Sequence, residues 1–276
     1  MSKVPSLTLN NGVEMPQLGF GVWQVPDDEA TAAVSTALEA GYRSIDTAAI
    51  YGNEEGTGRA LAASGIARDE LFVTTKLWND KQGYDSTLRA FDESLGKLGL
   101  DHVDLYLIHW PVAPQGTFVD TFKAFEKILG DGRAKAIGVS NFLPEHLKTL
   151  LAETSVVPAV NQIELHPQLQ QGELRAIHAE HSIATEAWSP LGQGKGLLEV
   201  PTVVAVARKH GKTPAQAVLR WHLQLGNVVI PKSVTPSRIA ENIDVFDFEL
   251  DADDMAAFAA LDEGKRLGPD PAVFGA

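Results

Sequence analysis

Four residues with complementary proton chemistry stand where short apolar runs end. RSID ends in Asp46 and Tyr51 follows it; LFVTTK ends in Lys76; VDLYLIH ends in His109. A phenol ordinarily titrates at about 10. A neighbouring ammonium favours the phenolate and lowers that value, and Lys76 is the candidate ammonium. Burial alone would neutralise Lys76, and pairing with Asp46 would offset this. His109 could hydrogen-bond a carbonyl oxygen and fix its orientation. The set describes a general acid, Tyr51, tuned toward working pH. Such an acid suits a carbonyl whose oxygen gains charge as hydride arrives at its carbon. None of these side chains can donate hydride, so the chemistry needs a redox cofactor.

Other strand ends carry polar or aromatic residues too. AKAIGV runs into Ser140 and Asn141, AVNQIE carries Gln162, IATEAW delivers Trp188, and NVVIP delivers Lys232 and Ser233. Trp78 and Trp110 directly follow the runs that hold Lys76 and His109. Singly, each has a plainer role as a rim charge, a packed histidine or a core aromatic. Jointly they would converge on one rim, as a proton-transfer site requires. A different chemistry stays open for the same residues: Lys76 forming a Schiff base in an aldolase-type barrel, with no nicotinamide.

The elements that must position these residues are eight short runs. They are QLGFG, RSID, LFVTTK, VDLYLIH, AKAIGVS, AVNQIE, IATEAW and NVVIPK. Most are apolar at successive positions, as in parallel strands covered on both faces. Before them, SLTL and VEM flank Asn11-Gly12, a two-residue hairpin signal. Between the runs lie helical patterns: Ala30, Val34, Ala37 and Leu38 before Gly41, then Leu88, Phe91, Leu95 and Leu98 before Gly99. Thr213, Pro214 and Gln216 compose a helix start with a capping box, and Gly226 its end. A further helix spans 252–261. Gly56 and Gly58 fall inside a helix, where close packing against the barrel explains them. The alternation implies an α/β fold over residues 1–276 as one domain: a single (β/α)8 TIM barrel with an N-terminal β-hairpin and extra C-terminal helices. An open doubly wound sheet has the same periodicity.

Composition narrows the partners. The 276 residues are 44% hydrophobic and 21% charged, with net charge −13, which does not suit nucleic acid or an anionic membrane surface. There is no cysteine, so no disulfide, thiol nucleophile or Cys-ligated zinc. The first ten residues lack the apolar core of a signal peptide, and no window resembles a membrane span, so a cytoplasmic protein is expected.

GYRSIDTAAIYGNEEGTGRAL, TTKLWN, DLYLIHWP, IGVSNF, VNQIELHP, EAWSPLG, and IPKS followed by RIAENI stand in this order between about residues 19 and 245. On these stretches the chain resembles the aldo-keto reductase superfamily, nearest to bacterial 2,5-diketo-D-gluconate reductases. The resemblance implies a tetrad of Asp46, Tyr51, Lys76 and His109 with Tyr51 as proton donor, and NADPH/NADP+ extended across the barrel mouth. It implies that Ser140, Asn141 and Gln162 hold the nicotinamide carboxamide and that Trp188 stacks on the ring. Ser189, Pro190, Leu191, Gly192, Gln193 and Gly194 would lie by the pyrophosphate. Lys232, Ser233, Val234 and Arg238 would hold the adenosine 2′-phosphate, and Glu241 and Asn242 would lie near adenine. Thr235 and Pro236 read as a helix start, whose free amides and dipole favour phosphate. Thr235 stands where several relatives have a basic residue.

Trp23, Trp78, His109 and Trp110 are the expected substrate wall. A short 111–117 connection and a brief tail predict an open pocket for small dicarbonyls, keto acids or aromatic aldehydes. The family also implies a monomer. Some members are regulatory subunits that bind cofactor without turnover, which the intact tetrad disfavours.

Overall fold

The computed structural model describes residues 4–275; residues 1–3 and 276 of the expected domain lie outside the described residues. A hairpin of β1 (Ser6–Thr8) and β2 (Glu14–Pro16) comes first. The Leu9 amide bonds the Val13 carbonyl, leaving Asn10, Asn11 and Gly12 as a three-residue loop, not the expected two-residue turn. Gly12, at φ 85°, takes the left-handed position that such a loop reserves for glycine.

Eight parallel strands follow among the described residues: β3 (Phe20–Gly21), β4 (Ser44–Asp46), β5 (Phe72–Leu77), β6 (Val103–Ile108), β7 (Ala134–Ser140), β8 (Val160–Glu164), β9 (Ala184–Trp188) and β10 (Val228–Val229). Each pairs with its sequence neighbours, and a parallel bridge from Leu18 to Val229 joins the two edges. The Gly19 amide reaches the Val229 carbonyl and the Gly21 amide reaches Pro231, so the sheet closes on itself. This is the (β/α)8 barrel, not the open sheet.

The helices are α1 (Asp27–Glu39), α2 (Glu54–Ala63), α3 (Tyr84–Leu98), α4 (Phe118–Gly130), α5 (Pro144–Glu153), α6 (Gly172–Glu180), α7 (Pro201–Lys209), α8 (Pro214–Gln224), α9 (Pro236–Ile243) and α10 (Ala252–Ala259). Thr213 caps α8 with the expected reciprocal bonds to Gln216. Gly56 and Gly58 pack against neighbouring helices instead of the barrel. A Cβ on Gly56 would strike the Asp27 carbonyl and Ala30 of α1, and one on Gly58 the last carbonyl of α3 at Leu98.

Two apolar layers hold the barrel. The larger joins the helices to the outer faces of the strands, with Phe91, Tyr106, Phe122, Phe125 and Trp221 fully buried. The smaller lies inside. Leu9 and Met15 of the hairpin pack there on Phe72, Leu105, Leu107, Val160 and Val228. Phe72, Val160 and Val228 each begin a strand, so the hairpin plugs the N-terminal end of the barrel. The opposite end, where the strands deliver their last residues, stays available for chemistry.

Candidate active site

Parallel register brings distant residues together at that end. Asp46 ends β4, opposite Thr74 of β5, and Lys76 lies two residues further along the same strand. Both side chains point inward. Lys76 Nζ donates to Asp46 Oδ1 at 2.5 Å and to the Thr47 carbonyl at 2.9 Å. Lys76 has no exposed surface. Burial opposes its charge, yet the Asp46 carboxylate prevails and raises its pKa above the usual ammonium value. A buried ammonium without a carboxylate would instead lose its proton.

Tyr51 ends a 3₁₀ turn, Ala49–Tyr51, that follows β4. The Lys76 ammonium lies 5.1 Å from the centre of its ring, and the His109 ring stands edge-on to it at 5.6 Å. Asn53 fixes the turn from behind. Its amide donates to the Val22 and Val25 carbonyls at 2.9 and 2.8 Å, and its oxygen accepts from Thr47 Oγ1 at 2.7 Å. Lys76 and Asp46 thus reach Tyr51 through one braced segment.

The electrostatics of Tyr51 differ from the expectation. Burial outweighs the lowering effect of Lys76, so the phenol is raised, not tuned down toward neutrality. Asp46 adds to the rise by offsetting part of the cation. The Tyr51 phenol is therefore protonated at neutral pH, beside the Lys76 ammonium. His109 is driven well below its usual value, by burial first and then by repulsion from Lys76. It is a neutral imidazole, and one ring nitrogen, Nδ1, is buried without a partner.

Aromatic residues wall this centre. The Trp78 ring is 5.2 Å from His109, and Trp110 lies beyond it at 6.4 Å. Trp23 follows β3 and is 43% exposed, farther out than the other two tryptophans. The brief tail adds an aromatic to this wall. Phe274 packs on Trp110 at 4.4 Å and on Trp78 at 6.4 Å, so the brief tail reaches the wall and extends it. The tail is held upstream, where the Leu267 and Gly268 amides donate to the buried Glu164 carboxylate at 2.6 and 3.0 Å. His166 Nε2 donates to the same carboxylate at 3.0 Å.

The residues expected around a cofactor line the same rim. Ser140 Oγ donates to the Gln162 carbonyl at 2.8 Å. The Asn141 amide donates to the His109 carbonyl at 2.9 Å and its oxygen accepts from Trp188 Nε1 at 2.8 Å. Asn141 thus cross-braces three strand ends from a left-handed backbone at φ 63°. Its polar groups are already engaged within the protein. Gln162 Nε2 donates both its hydrogens, to Asp46 Oδ2 and to Glu186 Oε2, each at 2.8 Å.

After Trp188 the chain runs through Ser189, Pro190 and Leu191 into a 3₁₀ turn, Gly192–Gly194. Gln193 Nε2 donates to Ser189 Oγ at 2.8 Å, and Lys195 bonds the tail carbonyl of Leu267 at 3.0 Å. Lys232, Val234 and Arg238 are exposed at the start of α9. Among the described residues, neither cation forms an ion pair. Thr235 precedes α9 but gives no side-chain cap; Ser233 Oγ accepts the Thr235 amide at 3.1 Å instead. Glu241 accepts from Thr213 Oγ1 at 2.7 Å, and Asn242 is buried on the same helix.

Glu186 was not anticipated from the sequence. It sits inside β9, not at its end, in register with Gln162. The signal was present: a carboxylate in a strand covered on both faces requires an inward partner.

The chain belongs to the aldo/keto reductase family, whose model matches residues 16–263. It is 62% identical over 270 residues to an aldo-keto reductase of Mycolicibacterium smegmatis, covering 98% of each chain. It is 55% identical over 276 residues to the methylglyoxal reductase DkgA of Salmonella typhimurium, covering 100% of each. Among solved structures, an aldo/keto reductase from Brucella melitensis superposes with TM-score 0.93 at 60% identity, covering 95% of this chain and 99% of that one. A Gox0644 mutant in complex with NADPH superposes with TM-score 0.94 at 52% identity, covering 98% of each. The resemblance carried by the strand-end motifs and the closed barrel agree with this family.

Proposed function

We propose that the chain is an NADP-dependent oxidoreductase that reduces small aldehydes and ketones to alcohols, with Tyr51 as proton donor. The observation that carries this reading is the buried Asp46–Lys76 pair beside the Tyr51 ring, with neutral His109 across from it. The rim supports NADPH as the cofactor. It offers an indole at Trp188, a glycine-bearing loop, and two free cations at a helix start, where a 2′-phosphate is well matched. Ser140, Asn141 and Gln162 would lie by the carboxamide, and Glu241 and Asn242 by the adenine. Bound NADPH supplies hydride to the carbonyl carbon.

The protein's own part is positioning and proton delivery. A neutral His109 donates a hydrogen bond to the carbonyl oxygen and orients it toward Tyr51. As charge grows on that oxygen, Tyr51 Oη gives up its proton and Lys76 stabilises the phenolate left behind. Asp46 keeps Lys76 charged for this step. Trp23, Trp78, Trp110 and Phe274 shape the pocket around a small substrate.

Relatives named methylglyoxal reductase favour small dicarbonyls among the substrates, with keto acids and keto sugars such as 2,5-diketo-D-gluconate next. The same reading takes the enzyme as a cytoplasmic monomer. A Schiff-base role for Lys76 is disfavoured because Asp46 holds the amine protonated. The test is NADPH and NADH oxidation across methylglyoxal, 2,5-diketo-D-gluconate, aromatic aldehydes and a steroid ketone, compared by kcat/KM. The reading predicts NADPH over NADH and small dicarbonyls over the steroid. No oxidation with any of these carbonyls overturns it.

A further inference from the structure

Glu186 is wholly buried in the barrel. Its partner across the sheet is Gln162, whose amide nitrogen bridges Glu186 Oε2 and Asp46 Oδ2. An amide nitrogen has two hydrogens, and here both end on carboxyl oxygens. The amide has one orientation open to it, because turning its oxygen toward Asp46 would set lone pairs against lone pairs. Gln162 Oε1 must therefore face away from both acids, and no protein donor reaches it among the described residues. With Asp46 alone, one bond would leave the amide free to rotate about it. Glu186 supplies the second anchor.

We infer that Glu186 is a positioning residue for the cofactor: it locks Gln162 so that Oε1 faces the mouth as an acceptor for the nicotinamide carboxamide N–H. This rests on the reading that the nicotinamide sits over the tetrad. The groups facing Glu186 are Asp46 from β4, Lys76 from β5, Tyr51 from the 3₁₀ turn and Gln162 from β8. Burial and the Asp46 carboxylate push Glu186 up to about 8. It thus serves at neutral pH as a neutral carboxyl whose oxygen accepts, a role a glutamine can copy.

The test is NADPH affinity by fluorescence titration at neutral pH, with folding checked by circular dichroism. Glu186→Met removes the acceptor at similar volume, and should weaken NADPH binding roughly five- to tenfold, the scale of one hydrogen bond. Glu186→Gln keeps an acceptor and should bind within about twofold of wild type, well inside that scale. Gln162→Met should weaken binding comparably, and adding Glu186→Met to it should weaken it no further. Should Glu186→Met not fold, Glu186→Ser takes its place with the same expectations. Wild-type affinity in Glu186→Met, equal losses in Met and Gln variants, or losses that multiply in the double variant each overturn the inference. If wild type itself fails to bind NADPH, the functional reading fails instead.

Discussion

The ammonium of Lys76 lies 2.5 Å from Asp46 Oδ1, with neither group open to solvent. Breaking this pair has two separable effects. Lys76→Met leaves Asp46 buried without its cation and Tyr51 without phenolate stabilisation. Carbonyl reduction should fall by roughly 10²–10⁴-fold, the range of a general-acid contribution. Unfolding free energy should fall by about 3–5 kcal/mol, as for other half-broken buried pairs. Turnover and urea titrations measure the two. Full activity in a stably folded Lys76→Met would remove the cation from the account.

The pH dependence of stability isolates Glu186. Its folded pKa, about 8, lies above its ordinary carboxylate value. Between those two values the folded state holds a proton that the unfolded state has released. Stability therefore falls with rising pH. The contribution is fully present below the ordinary carboxylate range and is lost as pH rises through about 8. Urea midpoints from pH 5 to pH 9 should drop more in wild type than in Glu186→Gln. Parallel curves would show that Glu186 ionises normally.

The raised phenol of Tyr51 sets the sign of the catalytic profile. Reduction needs the protonated form, so its rate should stay level through neutral pH and decline only in the alkaline range. Alcohol oxidation needs the phenolate, so its rate should climb with pH. Stopped-flow hydride-transfer rates in both directions check this. A reduction rate that halves between pH 6 and pH 8 would contradict a raised Tyr51.

Lys232 and Arg238 are exposed at the start of α9 and, among the described residues, form no ion pair. Alanine at either should raise KM for NADPH by roughly 10- to 100-fold, since a charged hydrogen bond is worth about 1.5–3 kcal/mol. KM for NADH should change little. Equal losses with both cofactors would place the 2′-phosphate elsewhere.

Phe274 lies 4.4 Å from Trp110, and the tail that carries it hangs on Glu164. Phe274→Ala should raise KM for methylglyoxal and lower it for bulky aromatic aldehydes. Glu164→Gln should loosen the tail and speed hydrogen exchange at Leu267 and Gly268. Unchanged exchange there would show that the tail is held by its aromatic contacts alone.

Much of this was legible in the residues. Strands covered on both faces announce themselves by unbroken apolar runs, and all eight expected runs carry strands. Asp46, Lys76 and His109 were visible because they end such runs, and the barrel's parallel register gathers strand ends. Glu186 escaped attention because it lies mid-strand, where its partner is set by pairing of β8 with β9. Phe274 escaped because its contact with Trp110 depends on how the tail crosses the barrel mouth. The balance between burial and Lys76 at Tyr51 was equally hidden, since spacing names the charges but not how deeply they are enclosed.

The central claim is that Tyr51 gives its proton to the reduced carbonyl. Single-turnover reduction of methylglyoxal by preloaded NADPH, in wild type and Tyr51→Phe, measures it most directly. The account predicts that removing one hydroxyl slows hydride transfer by at least roughly 10²-fold while NADPH affinity stays near wild type. Equal single-turnover rates in the two proteins would contradict it.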